Sequence, residues 1–314
     1  HQDLINYKSV WRDPIISKYK NFKLMSMGPP SSGGILLAQM MKMAEHYPIK
    51  EYGFHSPKYI HLLAEIERRA FSDRSKHLGD PDFYNVLLDE LIDSMYLVQR
   101  IKSIDIVNST PSNLINPGHL SIPESEETTH FSIVDNLGNA ASVTTTLNGS
   151  FGSGVVVKNA GFILNNEMDD FTTVRGKANL FGLRQSNLNV PEPGKRPLSS
   201  MSPTILLKEG KTAFTAGASG GPRIITGTLQ VILRMMYEHL PPVDAVAAPR
   251  IHHQWMPDTL LLESDALRLK PSLEAFGHEV QSTGGVGVVQ AIRVHKNAYE
   301  PASDSRKGGR SAGY

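Results

Sequence analysis

The sequence predicts an α+β fold in which sheets are covered by helices. Three observations predict it. Helical periodicity dominates the chain up to residue 101 and returns near 221–240. Hairpin-like strand pairs crowd the second half. Strands and helices do not alternate there, so a parallel α/β sheet is not the expected architecture.

The elements follow in order. Residues 27–34, MGPPSSGG, read as a rigid turn ending in two glycines. A helix follows, with Ile35, Leu36, Met40, Met41 and Met43 in an apolar group. Residues 56–72 form a clearer amphipathic helix, with Tyr59, Leu62, Leu63, Ile66, Ala70 and Phe71 at helical spacing. GDPDF at 79–83 is a turn, and residues 82–101 continue as helix. Composition then shifts. Residues 108–127, rich in Ser, Asn, Pro and Glu, read as an exposed linker. HFSIVD, DNLGN and NAASVTTTL make a hairpin, and GVVVKNAGFIL at 154–164 reads as a further strand region. Residues 202–217 form a hairpin turning at Glu209-Gly210. Residues 221–240 are a long helix, and a short helical segment lies near 266–277.

Composition bounds the function. The chain has 314 residues, 40% of them hydrophobic and 20% charged, which is ordinary for a globular protein with a sizeable core. A net charge of +1 gives no electrostatic case for nucleic acid or an anionic membrane. No cysteine is present, so disulfides and thiolate chemistry are excluded. No apolar run of about 18 residues marks a membrane span. The opening residues, HQDLINYKSVW, read as the middle of a longer chain, so the missing signal peptide says little.

Two nucleophiles compete. Gly217-Ala218-Ser219-Gly220-Gly221 fits G-x-S-x-G between a strand and a helix, with Asp258 and His278 downstream in the order of a serine hydrolase triad. The surrounding hairpins argue against that fold. Gly220 and Gly221 have chemical value of their own, because unencumbered amides at a helix start suit an anion or an oxyanion. The second nucleophile lies in EETTHFS, where the linker meets a strand. A threonine hydroxyl needs a base. A threonine freed as an N-terminus carries one, its α-amine, with a pKa of about 8. These residues alone do not prefer Thr128 over Thr129. His252-His253 lack a third ligand at convincing spacing, and no metal or other cofactor is called for.

The flanking motifs decide between them. TTHFSIVDNLGNAASVTTTLN, FGSGVVV, GFILNNEMDDF, GKRPLSSMSPTILL, GASGGPRIIT, PRIHHQW and SDSRKGGRSAGY occur in one order. Together with YKSVWRDPI, PPSSGG and FSDRSKHLGDPDF, they closely resemble the γ-glutamyltranspeptidases, which are N-terminal-nucleophile hydrolases. The resemblance covers nearly the whole chain. It implies an αββα four-layer sandwich, incomplete at the N-terminus. Residues 1–127 would be the C-terminal part of a large subunit and residues 128–314 the small subunit. Self-cleavage at Glu127–Thr128 would leave a heterodimer.

The implied activity is transfer of a γ-glutamyl group from glutathione or a similar donor to water or to an amino acid or peptide amine. Thr128 would be the nucleophile and Thr146 its supporting hydroxyl. Asn148, Glu167 and Asp170 would hold the donor's ammonium, Ser199 and Ser200 its carboxylate, and Gly220 and Gly221 the oxyanion. Asp169 is assigned a structural role, as is His130. Residues 172–183 match a lid, with Phe181 where some relatives carry tyrosine, and Pro222 stands where a serine is common. The family's carboxylate-binding arginine lies upstream of this chain, and no substitute is found in it. A periplasmic or extracellular protein is expected. The rivals are an uncleaved, inactive precursor or fragment and a Ser219 hydrolase.

Overall fold

The computed structural model describes residues 1–115, 128–174, 176–183, 185–295 and 298–313. Most of the expected linker, and Glu127 with the expected scissile bond, lie outside these residues. The strands are β1 (Ile15–Tyr19), β2 (Phe22–Ser26), β3 (Thr129–Val134), β4 (Ala140–Thr145), β5 (Thr204–Lys208), β6 (Lys211–Ser219), β7 (Ile251–His252), β8 (Leu260–Glu263), β9 (Val280–Thr283), β10 (Val288–His295) and β11 (Ala298–Ser303). One antiparallel sheet runs β1-β2-β5-β6-β10-β11. β3 and β4 form the separate hairpin, and β7-β8-β9 make a small mixed sheet.

Alternation along β6 sorts the layers. Phe214, Ala216 and Ala218 join the apolar core shared with helices Gly33–Glu45 and Arg223–Tyr237. Thr215 and Gly217 face the β3–β4 hairpin instead. Thr215 Oγ1 lies 3.0 Å from Ser132 Oγ, and a side chain at Gly217 would collide with the His130 ring. The hairpin is built the unusual way round. His130 and Ser132 point at the large sheet, while Phe131, Ile133 and Val143 are exposed on the outside. Three layers are therefore described: helices, the large sheet and the hairpin.

Two sequence readings need correction. Residues 82–101 are not one helix. They hold Leu88–Leu91 and Ser94–Lys102, because the Asp93 side chain accepts from Met95 N at 2.8 Å and Tyr96 N at 3.1 Å and starts a new helix. Residues 154–164 form no named strand, only a bridge between Val156 and Ile163. Positive φ at Gly154, Asn159 and Gly161 breaks the extended chain.

The helix Pro57–His77 starts on Ser56, whose hydroxyl accepts from Tyr59 N at 3.0 Å. It is buried nearly all round rather than on one stripe. Glu65, Glu67, Arg68, Arg69, Asp73 and Arg74 are all inside. Glu65 pairs with Arg68 and Arg69 and takes the Thr110 hydroxyl at 2.7 Å. Ser112 donates through both its N and its Oγ to Asp258 at 2.7 Å. Trp255 Nε1 donates to the Ser112 and Ile115 carbonyls at 2.8 and 3.0 Å. Residues 110–115 are thus anchored to both halves of the chain.

This interior makes the fold acid-sensitive. Burial lowers His130 to about 4, His252 to about 3, His253 to about 4 and His278 to about 2. A histidine lowered on folding stabilises while neutral, and that stability is lost as pH falls below its ordinary value of about 6.5. One pH unit lower, each such histidine costs up to about 1.4 kcal/mol. Glu67, Glu167, Asp170 and Glu238, raised by burial, push the other way, but burial lowers His55, His61 and His77 as well, so the histidines outnumber them. Thermal melts at pH 7.5 and 5.5 should therefore differ, the lower pH giving a Tm several degrees down. An unchanged Tm would contradict buried neutral histidines.

Candidate active site

The hairpin register builds the centre of the site. Thr129 pairs with Thr145, so the next residues outward, Thr128 and Thr146, face each other. Thr128 Oγ1 donates to Thr146 Oγ1 at 3.4 Å. Thr146 Oγ1 in turn accepts from Asn148 N at 2.8 Å. Asn148 adopts φ 70°, a left-handed conformation that asparagine tolerates, and its Nδ2 donates to the Asn166 carbonyl at 3.2 Å.

A short 3₁₀ turn, Glu167–Asp170, brings carboxylates to the same place. Asp170 is buried, and burial together with Glu167 raises it well above an ordinary aspartate. Burial also raises Glu167, while hydrogen bonds to Thr146 and Asp170 hold it down. Glu167 Oε1 is buried without a partner. Asp169 is used differently, since its Oδ2 accepts from Leu180 N at 2.7 Å. Asn179 Nδ2 donates to Asp170 Oδ1 at 3.2 Å, so this segment and the acids are tied together.

The serine pair lies opposite. Ser199 is bound to the PPSSGG turn: its N donates to the Pro30 carbonyl at 2.9 Å, and its own carbonyl accepts from Ser32 N at 2.9 Å. Ser200 Oγ accepts from Arg74 Nη2 at 3.4 Å. Arg74 is the residue that sequence reasoning missed. Its charge sits in a run, ERRAFSDR, that looks like the wet side of a helix. Burial lowers its pKa to about 10, and Asp170 opposes that shift.

One narrow cavity of about 20 Å³ is lined by Thr128, Thr146, Asn148, Asp170, Ser199, Ser200, Arg74 and Gly221. Glu167 adjoins it through Thr146 and Asp170. Gly220 and Gly221 occupy the turn between β6 and the helix Arg223–Tyr237, with φ 128° and 52°. A side chain on Gly221 would strike the Phe181 ring, so the ring packs directly against that glycine. The volume suits about one water and not an acyl group. Thr128 also borders a wider cavity of about 160 Å³ with Thr129, Thr145, Thr146, Leu147, Gly149 and Ser150.

His130 is neutral, with Nδ1 2.9 Å from Thr144 Oγ1 and Nε2 3.1 Å from Ser132 Oγ. It joins the two sheets. The Ser219 triad does not form. Asp258 is engaged with Ser112, Arg68 and His253, and His278 Nε2 with His61 Nδ1 at 2.8 Å. His252 and His253 are buried in hydrogen bonds with Thr226, Gln254 and Arg68. Among the described residues no group of three or more His, Asp or Glu is arranged to hold a metal. Nor is any helix among them long and apolar enough to cross a membrane. A much larger cavity, about 580 Å³, lies elsewhere, near Phe22, Phe214 and Tyr237, and is lined by none of these residues.

Known proteins resemble this chain. A glutathione hydrolase proenzyme of Pseudomonas aeruginosa is 47% identical over all of this chain and 56% of its own length. That of Escherichia coli is 45% identical over 93% of this chain and 51% of its own. The chain thus spans about half the length of the curated relatives it matches. A solved γ-glutamyltranspeptidase from Pseudomonas nitroreducens, complexed with L-DON, is 49% identical, with a TM-score of 0.57; the match covers 60% of this chain and 100% of that one. A cephalosporin acylase from Bacillus halodurans shares the fold over the whole chain and 55% of its own, with a TM-score of 0.82 at 23% identity. The family profile described as gamma-glutamyltranspeptidase matches residues 1–314, and the chain belongs to that family.

Proposed function

We propose that Thr128, freed as an N-terminus by self-cleavage at Glu127–Thr128, transfers γ-glutamyl groups. The observation that carries this reading is the cavity, where a threonine hydroxyl meets acids on one side and serine hydroxyls with a cation on the other. That pattern complements the ammonium and carboxylate of an α-amino acid whose side-chain acyl group reaches Thr128. In cleavage, Thr128 Oγ attacks the Glu127 carbonyl and the peptide shifts to an ester, which breaks the C–N bond and frees the Thr128 amine; water then hydrolyses the ester, releasing the Glu127 carboxylate and restoring the Thr128 hydroxyl. In turnover, Oγ attacks the γ-carbonyl of glutathione or a related donor and passes its proton to the α-amine. The proton leaves with the departing amine. Water or an amino acid or peptide amine then takes the acyl group from the ester. Gly220 and Gly221 amides stabilise the oxyanion.

The relatives' names, glutathione hydrolase and proenzyme, support both steps. The solved relative covers about the share of this chain that residues 128–314 make up, which supports a boundary there. Residues 1–127 and 128–314 then stay together as a heterodimer, and the expected location, by resemblance, is periplasmic or extracellular. The test takes the chain with any upstream sequence encoded with it. N-terminal sequencing after incubation should give a new terminus, TTHFS, and labelled glutathione should release glutamate or, with a dipeptide, form a γ-glutamyl peptide. Turnover by a protein still joined at 127–128 would overturn the reading.

A further inference from the structure

The helix Pro57–His77 buries the Arg74 guanidinium at 1% exposure. A cation taken out of water needs a compensating partner. Among the described residues Arg74 forms no direct ion pair, and Asp170 favours its charge only across space. Its nitrogens are used unevenly. Nε donates to Ser32 Oγ at 2.9 Å. Nη2 donates to Ser200 Oγ at 3.4 Å and to the Leu198 carbonyl at 3.5 Å. Nη1 is buried with no partner.

Ser32 passes the contact onward, its Oγ donating to the Ser199 carbonyl at 2.8 Å. Arg74 therefore braces the Ser199–Ser200 turn from behind. The hydroxyl chemistry follows. A serine hydroxyl has one proton and two lone pairs, while a guanidinium has only protons to give. Arg74 thus fills a lone pair on Ser200 Oγ and leaves that hydroxyl's proton free. Met201 N does the same for Ser199 Oγ at 3.1 Å. Both hydroxyls are left as donors on the side of the cavity that Arg74 backs, and an anion is what accepts from them.

We propose that Arg74 is a positioning residue which, through Ser32 and Ser200, turns the two serine hydroxyls into a receptor for the donor's α-carboxylate. It rests on the γ-glutamyl-transfer reading and adds to it a charge that lies within this chain. Arg74 also faces the acid side of the cavity, where Glu167, Asp169 and Asp170 lie on one short turn.

The experiment compares two donors on the full-length protein. One is γ-glutamyl-p-nitroanilide. The other is 4-aminobutanoyl-p-nitroanilide, which lacks only the α-carboxylate. In Arg74→Met, KM for the first should rise about tenfold or more, the scale of one lost charge-assisted contact, with kcat changed less. kcat/KM for the second should hardly move, so the preference between them falls about tenfold. Arg74→Lys should restore part of the preference, since it keeps the charge without the planar fork. In a Ser200→Ala background, Arg74→Met should have a smaller effect than in the wild type. Equal losses on both donors, or an unmoved preference, would overturn the assignment. Should Arg74→Met not fold, Arg74→Lys and Ser32→Ala carry the same ratio test. A wild type inert toward both donors overturns the underlying reading and this assignment with it. An active wild type whose preference ignores Arg74 overturns this assignment alone.

Discussion

Thr128→Ala should abolish self-cleavage and turnover together. In the proposed mechanism the Thr128 hydroxyl serves twice, attacking first its own peptide bond and later the donor. Alanine keeps the backbone and the β-strand but removes the only atom that does either. Losses of a covalent nucleophile are large, so activity should fall at least about 10⁴-fold. The accompanying mass is equally diagnostic. This chain should remain one species near its full 34.6 kDa instead of splitting in two. Thr128→Ser, which keeps a hydroxyl at the same place, should still cleave, more slowly, and retain measurable turnover. Thr146→Ala is a weaker version of the same test, because it removes the 3.4 Å partner and not the nucleophile. A Thr128→Ala protein that cleaves and hydrolyses glutathione would exclude this mechanism outright.

Asp170→Asn should separate binding from stability. In the proposed function the carboxylate complements the donor's ammonium in a buried place, where removing one partner of a charge pair is costly. kcat/KM should drop about 100-fold, mostly through KM. Stability should move the other way. Asp170 is raised by burial and by Glu167, so its folded form favours the proton more than its unfolded form does. Such a group costs stability as pH rises above the ordinary aspartate range, and asparagine avoids that cost. Tm at pH 7.5 should therefore increase, by about 2 °C or more. The same raised group predicts that donor binding weakens on acidification sooner than an ordinary carboxylate would allow. A variant that lost activity and melted earlier would mean that Asp170 holds the fold rather than the donor.

Much of this was legible in the sequence, for identifiable reasons. The β3–β4 hairpin was marked by its turn, DNLGN, and β5–β6 by Glu209-Gly210, because turn chemistry is local. The helix Arg223–Tyr237 was marked by its period. The break at Asp93 was missed because one capping side chain outweighed a continuous helical pattern. Residues 154–164 were misread because apolar content was weighted over the glycines that interrupt it. Within the site, motif order brought Thr128, Asp170 and Ser200 into one reading, and the structure gathers them around one cavity. Arg74 was invisible for a different reason. Charge on a helix looks wet until the fold covers it, and only the packing of the whole chain decides that the helix Pro57–His77 has no wet side.

The large sheet interleaves its strands across the proposed cut. β2, before residue 127, is laddered to β5, after it, from Phe22↔Lys208 to Ser26↔Thr204. A molecule severed there is still stitched through its middle. Prying the pieces apart would expose the centre of the sheet, so separation and denaturation become the same event. With no cysteine in this chain to bolt them, durability rests on that weave and on packed contacts across the cut such as Ser112 with Asp258, and dilution by itself should not part the two polypeptides.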